Sequence, residues 1–189
     1  LTDTATIHIN SGATALKGVI KGNGTLVKSG DGQLNLNAAN SFTGGIVLQN
    51  GTLAQGAWDA TLAKSGSAIT VANGTLTIFN NNSTSAVPNF NYKVTVPESG
   101  KLTLNAGQRC KISGSFHGKG SITLTIPYVR TDMAANWSNF NGSLTVTGRD
   151  FRLNQATDFK GTAITLGDEV NMGHYKSGSG STLSLTTNI

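Results

Sequence analysis

The stretch Lys21–Leu53, KGNGTLVKSGDGQLNLNAANSFTGGIVLQNGTL, contains the tetrapeptide NGTL twice, at Asn23–Leu26 and again at Asn50–Leu53. Between the copies, apolar residues come in alternating pairs, Leu34 with Leu36 and Ile46 with Leu48, separated by Gly, Asn, Asp and Thr. Alternation at period two turns one side of a strand inward, and glycine and asparagine at the breaks supply the corners through positive φ and side-chain to backbone hydrogen bonds.

Outward from this stretch the same grammar continues. A glycine, a small or polar residue and then Leu or Ile recur as GTL ending at Leu26, Leu53 and Leu76, GKL at Leu102, GSI at Ile122 and GSL at Leu144. Looser copies are GTAI ending at Ile164 and GSTL ending at Leu183. Subtraction of those positions gives steps of 27, 23, 26, 20, 22, 20 and 19 residues, an array of coils with loops of variable length. A longer echo relates KGVIKGNGTL to ISGSFHGKGSI and NSFTGGIVL to SNFNGSLTV, pairing Gly18 with Gly114 and Phe42 with Phe140, as if two related blocks were stacked. Asn80–Asn91, with Pro88, reads as a loop.

Coils of this kind cannot close their own apolar side. Each must lie on the next at about 4.8 Å, so roughly eight coils predict a rod on the order of 40 Å long. The expected fold is therefore all-β, a single parallel β-helix of roughly eight irregular coils spanning residues 1–189.

Composition narrows the function. Of 189 residues, charged types make up 12% and glycine 24 positions, which excludes a disordered polyelectrolyte and a helix-rich domain. The net charge of +5 is spread singly from Lys17 to Lys176, so a mildly basic surface is expected and nucleic acid is not. Cys110 stands alone, which rules out an intrachain disulfide, and it reads as an inert buried thiol. The start at Leu1 and the lack of an apolar run long enough for a bilayer read as an excised module of a larger secreted protein with no membrane partner.

The opening stretch resembles the autotransporter-associated β-strand repeat, whose pattern runs GxGxLxKxGxGxLxLxxxNxxTGGxxxxxGTL. Gly22, Gly24, Leu26, Lys28, Gly30, Gly32, Leu34, Leu36, Asn40, Thr43, Gly44, Gly45, Gly51 and Leu53 fall in register with it. A later block, PYVRTDMAANWSNFNGSLTV, is similar more loosely: it lacks the second glycine after Gly142 and carries an insertion between Ile126 and Trp137. The resemblance implies a right-handed parallel β-helix, secreted or displayed on a bacterial surface. It also implies a similarity to β-helical carbohydrate-binding modules attached to glycoside hydrolases such as the xylanases of gut bacteria.

Catalytic chemistry is poorly supplied. Among the nine acids only Asp168 and Glu169 adjoin, and neighbours on a strand face opposite ways, so no facing carboxylate pair is indicated. His8, His117 and His174 show no metal-ligand spacing, and neither a cofactor nor an enzyme is expected. What is left is stacking and hydrogen bonding. Trp58, Trp137, Tyr128 and Tyr175 sit in polar surroundings, Trp137 beside Asp132 and Asn139 and Tyr128 just before Arg130, and these seven are the candidate carbohydrate-binding residues. Phe42 and Phe140 are expected to be buried at turns, and Phe79, Phe116 and Phe151 in the core.

The expected function is a non-catalytic module that recognises a plant cell-wall polysaccharide, xylan first, in a parent chain with a linked glycoside hydrolase. The alternative is a structural stalk or adhesin segment of an autotransporter passenger, and a small polysaccharide lyase or hydrolase ranks third.

Overall fold

The computed structural model describes residues 1–57, 59–79, 87–153, 159, 161–168 and 170–174. In chain order the strands are β1 (Ala5–His8), β2 (Ala13–Leu16), β3 (Leu26–Ser29), β4 (Gln33–Leu36), β5 (Ile46–Leu48) and β6 (Thr52–Gln55). There follow β7 (Ala68–Val71), β8 (Asn73–Ile78), β9 (Asn89–Phe90), β10 (Lys93–Val96), β11 (Lys101–Ala106) and β12 (Cys110–Ile112). The last are β13 (Ser115–Gly118), β14 (Ser121–Met133), β15 (Asn136–Phe140), β16 (Ser143–Leu153), β17 (Ala163–Leu166) and β18 (Met172–His174).

Every ladder among the described residues is parallel, and neighbours in space are one coil apart in sequence. One sheet runs β1-β3-β5-β7-β10-β13-β15 and a second runs β2-β4-β6-β8-β11-β14-β16-β17. The chain is thus a parallel β-helix, as the alternation predicts. Eight strands in the second sheet give a stack of roughly 34 Å at the usual interstrand spacing.

The core is a set of columns, each built from one inward position per coil. In the second sheet Leu34, Leu53, Leu76, Leu104, Leu124 and Val146 lie in register and are almost fully buried. Each contributes about 1.5–3 kcal/mol by leaving water. The matching column of the first sheet runs Ile7, Lys28, Leu48, Val71, Val96, Gly118 and Phe140, with a register shift at the last step.

Registers correct two details of the repeat. Leu26 opens a strand of the first sheet whereas Leu53 lies in the second, so the step of 27 residues runs between sheets. Leu76 pairs with Leu104 and Gly74 with Leu102, so GTL and GKL are two residues out of phase, a slip that leaves the inward face unchanged. The longer echo fails for the first of these reasons. Ile46 of NSFTGGIVL is in the first sheet and Leu144 of SNFNGSLTV in the second, although Phe42 and Phe140 are both buried as expected.

A third sheet begins halfway along. β9 pairs with β12, β12 with the later part of β14, that part with the later part of β16, and this with β18. β14 and β16 therefore turn from one sheet into another without a break, with a register shift between Ile126 and Arg130. In the early coils the third side is carried by bends and, among the described residues, by the bridge Ala39–Thr61.

Two glycines show why the corners need that residue. Gly51 has φ +74°, and a Cβ there would sit 2.4 Å from the Gly30 carbonyl oxygen; one at Gly44 would sit 2.3 Å from that of Asn23. Successive corners nest too closely for any side chain.

Candidate functional site

The motif residues of the opening stretch turn out to be corner fasteners. Lys28 occupies an inward position and is fully buried. Its Nζ donates to the carbonyls of Ser29 at 2.8 Å, Gly30 at 2.7 Å and Asn50 at 3.1 Å, binding one coil to the next. Burial pushes its pKa below the ordinary value and the nearby Asp31 partly restores it. Asn40 is 4% exposed and spans three coils: Oδ1 accepts from Ile20 N at 2.8 Å, and Nδ2 donates to Ala38 O at 3.0 Å and Thr61 O at 2.7 Å. Neither group is offered to a ligand.

The later coils are fastened by rings. Trp137, expected beyond a polar insertion and available to a sugar, is 1% exposed. It lies flat on Phe116 at 4.1 Å, meets Phe140 edge-on at 5.6 Å and touches Phe159 at 5.4 Å. The cause is local: in β15 Asn136 and Ser138 face solvent, so the residue between them must face the core. A ring so enclosed presents no face to a saccharide, and the expectation is corrected. Its Nε1 is buried without a hydrogen-bond partner.

The other candidates do not converge. Trp58 and Tyr175 lie outside the described residues, and Tyr128 and Arg130 fall in β14 with their side chains outside them. Asp132 is 8% exposed on the third sheet, in register between Lys111 and Arg152, while Arg152 pairs with Asp150. Asn139 is exposed on the first sheet opposite His117. Cys110 is fully buried beside Thr131, and burial pushes its thiol up to about 12, so it is an inert thiol at neutral pH.

Two surface features were not anticipated. On the outer side of the second sheet Thr52, Thr75, Thr103, Thr123, Thr145 and Thr165 form an in-register threonine column along the stack. The second is a half-open cleft of about 280 Å³ where the corner after β6 meets the end of β8 and the start of β9. Gln55, Asp59, Thr61, Phe79, Asn89 and Tyr92 line it, with Ala60 and Pro88.

Each lining group has a definite state. Gln55 stands in the core column that holds Leu36 in the coil below, is 6% exposed, and donates Nε2 to the Ala60 carbonyl. Asn89 accepts from Ser113 Oγ at 2.8 Å, which leaves its amide N–H groups available. The Tyr92 hydroxyl donates to Ala63 O at 3.0 Å and burial raises its pKa, so it stays neutral. Asp59 makes no hydrogen bond or ion pair among the described residues. Phe79 has φ +54°, a left-handed backbone that costs a non-glycine residue about 1–3 kcal/mol and persists only where its surroundings hold it. The cleft was hidden in the sequence because its walls come from residues 55–61, 79 and 88–92, which only coil stacking brings together. The one available signal was Gln55, a polar residue at an inward position of the alternation.

The sequence is similar to repeats of bacterial autotransporter passengers. Residues 22–54 match the passenger-associated-transport-repeat model, the same segment in which Lys28 and Asn40 fasten the corners. Over 73 residues the chain is 41% identical to the adhesin BmaC autotransporter of Brucella suis biovar 1 (strain 1330), a match covering 39% of this chain and 2% of that relative. No solved structure matches the chain. Both matches favour the stalk or adhesin alternative over the xylan module, and they indicate a secreted or cell-surface bacterial protein.

Proposed function

We propose that the chain is a non-catalytic stalk or adhesin segment within a surface-displayed passenger. The observation that carries this reading is the coincidence of the passenger-associated repeat at residues 22–54 with the fasteners that join coil to coil. A segment whose signature residues are spent on stacking serves reach and rigidity, and its flat polar sides remain for contact. The adhesin relative supports a role without catalysis.

The test is display. Fused between a secretion leader and an outer-membrane β-barrel, the chain is expected to reach the bacterial surface, to be accessible to antibody, and to raise attachment to host cells or matrix above that of the barrel alone. Retention in the periplasm would overturn the reading, and display without attachment would narrow it to the stalk.

A second reading is a glycan-binding module linked to a glycoside hydrolase, favoured by the cleft between Gln55 and Tyr92. Xylan is its first ligand to try. Affinity gel electrophoresis in which the protein migrates unretarded through xylan counts against it.

A further inference from the structure

We propose that the cleft between the corner after β6 and the start of β9 binds one neutral sugar unit, the end or a side branch of a glycan. This deepens the adhesive reading and rests on the chain being a displayed, non-catalytic segment.

Size sets the first limit. Ligand pockets commonly begin at roughly 300 Å³, so a cleft of about 280 Å³ suits a small ligand on the scale of one sugar ring.

The wall chemistry sets the second. Phe79, Tyr92 and Pro88 give the cleft an apolar side against which the C–H face of a pyranose can rest. The rest of the lining, Ala60 aside, is polar. The Asp59 carboxylate is an acceptor with two oxygens, the arrangement that takes a pair of adjacent hydroxyls. Asn89 keeps its N–H donors free because Ser113 occupies its carbonyl oxygen. Gln55, more than nine-tenths buried, has its Nε2 committed to Ala60 and therefore holds Oε1 in a fixed place as an acceptor. A hydroxylated ring, which donates and accepts around its rim while being apolar on its face, matches this set.

Charge sets the third. Among the described residues no basic side chain lines the cleft, and Asp59 repels anions, so uronic acids, sialic acid and phosphates are disfavoured. The left-handed backbone at Phe79 is consistent with a built site, since such conformations gather where a ligand surface is held in place.

The experiment uses the 189-residue chain and a panel of methyl glycosides of glucose, galactose, mannose, xylose and N-acetylglucosamine, with glucuronic acid and butylammonium as contrasts. Saturation-transfer and amide-shift NMR read binding. At least one neutral glycoside is expected to shift amides centred on Gln55, Asp59 and Asn89, with glucuronic acid weaker. Asp59→Asn is expected to lower affinity at least tenfold with an unchanged melting temperature. Gln55→Leu, which suits the column of Leu36, is expected to weaken binding in the same way. Silence from every glycoside, shifts that survive in both variants, or binding of butylammonium in place of sugar would overturn the proposal. A chain that is displayed and adhesive yet binds no sugar removes the cleft proposal alone, and one that binds sugar but is not displayed removes the passenger reading alone.

Discussion

In the coils up to β6 the corners are closed by Lys28 and Asn40, whose polar ends tie neighbouring backbones together. From β9 onward the core holds the buried rings of Phe90, Tyr92, Phe116, Trp137, Phe140 and Phe151, and Phe90 and Phe151 belong to the third sheet. The same task, keeping a coil from sliding on its neighbour, is met once by directional hydrogen bonds and once by volume. Hydrogen bonds to backbone demand particular residues at fixed spacing, so the early coils carry a recognisable motif. Ring packing tolerates exchange among apolar residues of similar volume, so the late coils carry none. This accounts for a family match confined to residues 22–54.

The sharpest way to break the contrast is Trp137→Ala. Removing a ring packed against Phe116, Phe140 and Phe159 is expected to cost about 3–5 kcal/mol in chemical denaturation. Asn40→Ala comes next. It deletes three hydrogen bonds across three coils and leaves buried backbone partners unmade, an expected loss of about 2–3 kcal/mol, and Asn40→Asp should not recover it, because its second oxygen would face the Ala38 and Thr61 carbonyls with no N–H to donate. Because the two sites lie in separate coils, the double variant should show losses that add.

Lys28→Met sharpens the comparison with a smaller effect, an expected loss of about 1 kcal/mol, because an apolar chain of similar length fills the column while three carbonyls lose a donor. Its signature is in pH. With the native pKa pushed down, the unfolded chain holds the proton in a window below the ordinary lysine value where the native chain has released it. Stability of the unmodified protein should therefore rise with pH through that window, and the Met variant should lose the slope, as melts taken up to the ordinary lysine value will register.

The smallest expected effect concerns Cys110, buried in the third sheet with its thiol pushed up to about 12. A thiol reagent at neutral pH should leave it unlabelled. Labelling that accelerates in Trp137→Ala but not in Asn40→Ala would show that late coils open without early ones.

Much of this was readable from residues alone. Alternation at Leu34 and Leu36 or at Val94 and Val96 fixes strands and their inward sides, and Gly51 and Gly44 mark corners because no side chain fits there. Coil register was harder. Gly-x-apolar introduces strands of both sheets, as Leu26 and Leu53 show, so the same letters marked different corners. The third sheet was obscured because β14 bends from one sheet into another inside a single run of strand residues. Trp137 was misjudged from its polar neighbours when the decisive fact was their alternation with it. The cleft could not be read at all, since sequence order separates Gln55 from Asn89 and Tyr92 by more than one coil.

Parallel stacking has a mechanical corollary. The rungs' mutual backbone bonds point along the long axis, so tension applied end to end loads them one turn at a time instead of all together. A tether made this way peels from a terminus in increments of some twenty residues, lengthening under load while the remaining turns stay intact. Anchorage built from such turns would give way gradually, absorbing a tug that would snap a bond network sheared in one step.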